Sequence, residues 1–145
     1  MCHIFPLVNS RKKGREKSAV VSEGWLLLLV LNYCGNVPPL ARYIVHNTFW
    51  GTVSTISVLL SGEPFGTVQS FSDGTVEEST GVPYFFLAAA DPVVEDTKSN
   101  PSTSLSLSEA QSDYCKAHNW DPELPRCARV TLTGKVNVLS VMRKK

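Results

Sequence analysis

The stretch "GTVSTISVLLSGEPFGTVQSF", residues 51–71, decides the fold class. Its first ten residues alternate apolar and small polar side chains and are rich in β-branched types, the pattern of a strand with one buried face. "SGEPFG" then supplies turn chemistry and "TVQSF" resumes the alternation, so the stretch reads as strand, turn, strand. Upstream, "PPLARYIVHNTFW" places Leu40, Tyr43, Ile44 and Phe49 near helical spacing after a proline start, which predicts one short helix on the core. Downstream, "SDG" is a second turn, and "VPYFFLAAA" is an almost wholly apolar strand whose aromatic residues suit a barrel interior or a subunit interface. "DPVVEDTKSN" reads as a short helix entered at Asp91 with Pro92 in its first position. "STSLSLSEA" and "ARVTLTGKVNVLSV" supply the last strand-like runs. Short strands separated by turns, with only brief helices, predict a mostly β (α+β) domain built on an antiparallel sheet or barrel.

Composition sets the outer limits. A chain of 145 residues with 43% hydrophobic content holds one domain with a packed core. A net charge of +1 gives no general reason to expect nucleic acid as a partner. The basic residues are unevenly placed: Arg11, Lys12, Lys13, Arg15 and Lys17 cluster near the start, and Arg143, Lys144 and Lys145 close the chain. From Tyr43 to Thr97 there is no lysine or arginine.

The first residues read as a segment apart, 1–38. "RKKGREK" precedes the apolar run from Trp25 to Leu31, the outline of a secretory signal, and the run is too short for a stable membrane span. Glu23 and the missing small-residue cleavage site fit a signal poorly, and a buried strand or helix is the competing reading. The domain proper is expected over 39–135, with a divergent basic tail over 136–145.

The strings "ARYIVHNTFWGTVSTIS", "GEPFGTVQSFSDG", "GVPYFFL" and "NPSTSLSLSEAQSDYCKAHNWDPELPRCARVTLTGKV" together resemble the CREG family of secreted and endolysosomal glycoproteins. The resemblance runs from about Leu40 to Lys135. It implies an FMN-binding-type split β-barrel, related to pyridoxine phosphate oxidases and working as a homodimer, in which flavin binding and enzyme activity have been lost. It also implies action through a protein partner or receptor, with growth and differentiation control as the family role. Two departures stand out. The nearest glycosylation sequon, Asn100-Pro101-Ser102, is blocked by its proline. Family members also continue past the strand near Ala128, whereas this chain turns into "NVLSVMRKK", so an incomplete barrel and a truncated product are expected.

The expected loss of flavin can be weighed on the residues themselves. A flavin mononucleotide phosphate is met by arginine, lysine or amides at a helix start. Here the basic-free interval spans three strands and most of a short helix that carries Glu95 and Asp96. Ser54, Thr55, Ser70 and Ser72 remain as candidates for a weak, vestigial pocket, and Lys98 or a partner subunit could add charge. No cofactor is therefore expected; FMN, in an FMN-dependent oxidoreductase of the pyridoxamine phosphate oxidase-like fold, is the alternative, and a nonfunctional fragment is a further one. No catalytic residue and no metal site is expected. His3, His46 and His118 sit in no motif with a nucleophile and an orienting acid, and His46 reads as an exposed or core-edge side chain.

Cys115 and Cys127 flank eleven residues that include His118. Zinc would find Cys115, His118 and Cys127 but no evident fourth ligand, and redox catalysis uses closer spacing. A structural disulfide needs an oxidising compartment and a loop that turns back, which the prolines of "DPELPRC" allow. The staple is the favoured reading if the chain is secreted, and two buried thiols if it is cytosolic.

Overall fold

The structure, a computed structural model, describes residues 26–28 and 37–137. The basic stretch at 11–17, most of the Trp25–Leu31 run, Cys2, His3, Cys34 and the tail from 138 onward lie outside the described residues. In chain order the elements are β1 (Leu26–Leu28), α1 (Val37–Asn47), β2 (Trp50–Ile56), β3 (Pro64–Gly74), β4 (Ser79–Phe85), α2 (Pro92–Ser99), β5 (Ser102–Ser108), α3 (Tyr114–Ala117) and β6 (Arg129–Lys135), with one 3₁₀ turn at Glu109–Gln111. The strands form one antiparallel sheet in the order β1-β6-β5-β2-β3-β4, with β1 and β4 at its two ends. The mostly β architecture with short helices read from the sequence is the one observed.

Period-two alternation does the sorting. On β2, Gly51, Val53 and Thr55 turn to the core, while Trp50, Thr52, Ser54 and Ile56 take the outer face. Leu105 and Leu107 of β5 and Val130 and Leu132 of β6 complete the same inner layer, joined by Phe71 and Phe85 from β3 and β4. Helix α1 lies against this layer with Ala41, Ile44 and Val45, positions spaced for one helical face. Gly51 is fixed by space rather than by backbone angle: a β-carbon there would lie 2.8 Å from Leu105 Cδ1 and 2.9 Å from the Ser106 carbonyl oxygen.

Four boundaries differ from the sequence reading. Tyr43 and Phe49 are not core residues: both are exposed, because α1 presents Ala41, Ile44 and Val45 inward and ends at Asn47, two residues before Phe49. Strand β2 stops at Ile56 rather than continuing to Leu60. The Val58 amide donates instead to Asp96 Oδ1 (2.8 Å), and Ser57 to Glu63 form a tight turn that leaves Val58, Leu59 and Leu60 exposed. Strand β3 runs the full length from Pro64 to Gly74, longer than "TVQSF" alone. Strand β4 ends at Phe85, so Phe85 is buried and Phe86, next in the alternation, is 95% exposed. Asp91 and Pro92 start α2 as expected: the Asp91 side chain accepts from the Val93 amide at 2.9 Å.

Three residues of the apolar N-terminal run, Leu26–Leu28, pair with Thr131–Thr133 of β6. Among the described residues, no helix is long and apolar enough to cross a membrane.

Candidate functional site

The four hydroxyls offered for a phosphate do not converge. Thr55 faces the core on β2, whereas Ser54 lies on the outer face opposite Gly66. Ser70 sits opposite Trp50 and Ser72 opposite Tyr84, both exposed, with the Ser72 hydroxyl donating to the Gly74 carbonyl at 3.1 Å. Counted along the strands, Ser54 and Ser70 are four positions apart, roughly 13 Å at strand rise.

Thr55 is also already committed. Its hydroxyl donates to Asp96 Oδ2 at 2.7 Å, and the other oxygen of this 1%-exposed carboxylate holds the Val58 amide. Of the two acids carried by α2, Asp96 is therefore inside the domain, clamping α2 to the end of β2, and Glu95 is exposed. The start of α2 is occupied in the same manner. Asp91 accepts from the Val93 amide through Oδ1 and from the Gln69 side chain through Oδ2 at 3.0 Å. The donors that a phosphate would seek at a helix start and on the neighbouring strands thus already serve carboxylates of the chain.

A groove of about 470 Å³ opens on the outer face, lined by Trp50, Thr52, Ser106, Gln111, Arg129 and Thr131 among others. None of the four candidate hydroxyls lines it. Its floor is bonded internally: Ser106 and Thr131 share a 3.1 Å hydrogen bond, and Gln111 donates to the Trp50 carbonyl while accepting from the Ser108 amide, both at 2.6 Å.

Beside it stands the loop between β5 and β6. Cys115 and Cys127 are joined by a disulfide with 5.6 Å between Cα atoms, and both are 1% exposed. That bond removes both thiols as zinc ligands, and among the described residues no three His, Cys, Asp or Glu side chains gather as a metal site. His118, the third ligand candidate, donates Nδ1–H to the Tyr114 carbonyl (2.8 Å) and stacks with Tyr114 and Trp120, ring centroids 4.5 and 4.7 Å away. Glu109 and Ala128 close the loop's base through two further bonds: the Glu109 amide to the Ala128 carbonyl (2.9 Å) and the Ala128 amide to Glu109 Oε2 (3.0 Å).

One constellation escaped the sequence reading. His46 does have an orienting acid: its Nδ1 lies 3.1 Å from Oδ1 of Asp73, which is 3% exposed, at the end of β3. The other oxygen of Asp73 accepts from the Ser79 hydroxyl and from the Gly81 amide (3.3 Å). The acid bridges histidine and serine here, whereas a nucleophilic triad needs the histidine in the middle, so Ser79 is not activated. The available signal was "SDG", read only as a turn; the helix and the turn are 27 residues apart in sequence. Burial by itself raises the Asp73 pKa, but the hydrogen bonds from Ser79 and His46, the charge of His46 and the Gly81 amide outweigh it, and the net shift is downward.

Two predictions follow from this geometry. The Asp73 contribution to stability is complete above the ordinary aspartate range, near pH 4, and is lost as pH falls through the lower folded value. Denaturant midpoints from about pH 5 to pH 2 should therefore show the gap between wild type and Asp73→Asn narrowing as pH drops; a constant gap would contradict the arrangement. Replacing Cys115 and Cys127 together by serine should cost roughly 3 kcal/mol in chemical denaturation, the loop-entropy value for a closure of this length.

The chain is 45% identical over 98 residues to Protein CREG2 of Mus musculus, a match covering 66% of this chain and 34% of that one. It is 40% identical over 98 residues to Protein CREG1 of Homo sapiens (66% and 44%) and 38% identical over 112 residues to Protein CREG1 of Gallus gallus (70% and 58%). The chain thus spans between about a third and somewhat over half of the length of these relatives. An F420 reductase of known structure superposes with a TM-score of 0.38 at 14% identity, covering 67% of this chain and 93% of that one. The family model described as "CREG, beta-barrel" matches residues 34–145, which takes in every described element from α1 to β6, and this chain belongs to that family.

Proposed function

We propose that this chain is a non-enzymatic protein of the secretory or endolysosomal route that acts through protein contacts. The observation that carries the proposal is the commitment of Thr55, Val93 N–H and Gln69 to Asp96 and Asp91. With no lysine or arginine from Tyr43 to Thr97, a flavin phosphate would have to displace a carboxylate from each of these donors with no cation of that interval to offset the loss. FMN does not fit this donor set, and no cofactor is assigned to it.

The disulfide supports the compartment, since such bonds persist where glutathione does not reduce them. The surface supports contact with a protein. Ile56 and Val68 lie on the outer face of β2 and β3, 39% and 60% exposed, and Phe86 follows β4 almost fully exposed. These are separate exposed apolar side chains that a protein partner would cover. A second copy of the chain is the occupant the family resemblance implies, and a receptor is the other; growth and differentiation control is the role proposed through the family.

Protein purified from secreting cells should carry no flavin absorbance, acquire none that survives gel filtration after incubation with FMN, and elute at a mass above the monomer that falls to monomer for Phe86→Ser. Flavin retained at one equivalent per chain would replace this reading with an FMN-dependent oxidoreductase. A monomer for both wild type and variant would remove the second copy as the occupant.

A further inference from the structure

We propose that the disulfide-closed loop between β5 and β6 carries a binding site for an uncharged pyranose saccharide, with the Trp120 ring as its seat. An open cavity of about 550 Å³ lies there, lined by Lys116, Asn119, Trp120, Asp121 and Pro122 together with the buried Cys115. Its size falls within the roughly 300–1,000 Å³ of small-molecule sites. It shares no lining residue with the groove at Trp50.

Covalent closure and backbone bonding fix the lining. The carbonyl of Cys115, itself tied to Cys127, accepts from the amides of both His118 (3.2 Å) and Trp120 (2.9 Å). Asn119 stands between them in the left-handed region, φ +53, with its amide on the Lys116 carbonyl at 3.0 Å. The chain therefore reverses directly after α3 and brings Trp120 back beside Cys115. His118, anchored to the Tyr114 carbonyl, stacks on the indole with ring centroids 4.7 Å apart, and Tyr114 meets the indole edge-on at 5.8 Å. The half-buried Trp120 is thus braced from one side and presents a preformed apolar surface to the cavity. Asp121 Oδ1 accepts from the Glu123 amide at 2.8 Å, which orients the carboxylate and leaves Oδ2.

The ligand class follows from what the lining leaves unused. Among the described residues, the Asn119 carboxamide, the Lys116 ammonium, the Trp120 indole N–H and Asp121 Oδ2 make no hydrogen bond or ion pair. Donors and acceptors thus surround a flat apolar ring. A pyranose matches that set, because its C–H face packs on an aromatic ring while its hydroxyls both donate and accept. Of the residues lining the cavity, Lys116 and Asp121 carry charge, and their opposite signs favour neither an anion nor a cation. A wholly apolar ligand would strip water from the polar rim and return no hydrogen bonds. The site owes nothing to the flavin argument or to the exposed Phe86, so its failure would leave the function proposed above standing.

The test is an NMR titration of the full chain, disulfide intact, with methyl α-mannopyranoside, methyl β-galactopyranoside and N,N′-diacetylchitobiose, beside glucuronate and glucosamine as charged counterparts. At least one neutral probe should shift the Trp120 indole N–H and the Asn119 side-chain amide saturably, and both charged sugars should bind more weakly than it does. A tighter fit for the disaccharide would mark a glycan chain as the source of the ligand, and a tighter fit for a monosaccharide a free sugar. Asn119→Gly, which accepts the left-handed backbone and removes the carboxamide, should weaken that probe about fivefold, the loss of one net hydrogen bond. Trp120→Leu should weaken it by about tenfold or more through loss of the flat ring. The proposal is overturned if no neutral sugar gives a saturable shift at these two groups, if a charged sugar binds more tightly than every neutral one, or if Asn119→Gly binds as wild type does.

Discussion

The carboxylate of Asp96 is the constraint on which the rest of this domain turns. It is 1% exposed and accepts from the Thr55 hydroxyl through one oxygen and from the Val58 amide through the other, so both oxygens are bonded where water does not reach them. Through it α2 is pinned to β2, β2 is terminated at Ile56, and the next residues are thrown into a tight turn with their apolar side chains outside. A buried polar group bonded in this way is costly to break, because removing one donor leaves a buried oxygen unsatisfied.

That single arrangement links fold and function. Asp91 and Asp96 occupy the helix start and the neighbouring strand donors from within, while Glu95 stays at the surface. On the outer face Val68 stays exposed, and Phe86, just past the end of β4, is almost fully so. The Cys115–Cys127 disulfide adds rigidity where the chain leaves the β5–β6 pair, and Tyr114, His118 and Trp120 stack beside it.

How much of this was legible in the sequence depends on the range of the interaction. Asp91-Pro92 announced the start of α2 because capping is local, and the alternation of residues 51–56 and 102–108 announced β2 and β5 because a strand face is set two residues at a time. Cys115 and Cys127 could be read as a candidate pair, but their oxidation depended on compartment. The end of β2 could not be read, since it rests on Asp96, 38 residues beyond Val58. His46 and Asp73 were invisible as a pair for the same reason. Tyr43 and Phe49 misled because their near-helical spacing with Leu40 and Ile44 suggested core positions, while the helix register and its early end put both outside.

The most direct measurement of the central claim is an amide chemical-shift map of the chain titrated with FMN, read at Val58 and Val93. Both amides should stay where they are at saturating flavin, each still bonded to its aspartate. Saturable, matched shifts of the two would show that a phosphate can displace Asp96 and Asp91, and would contradict the account.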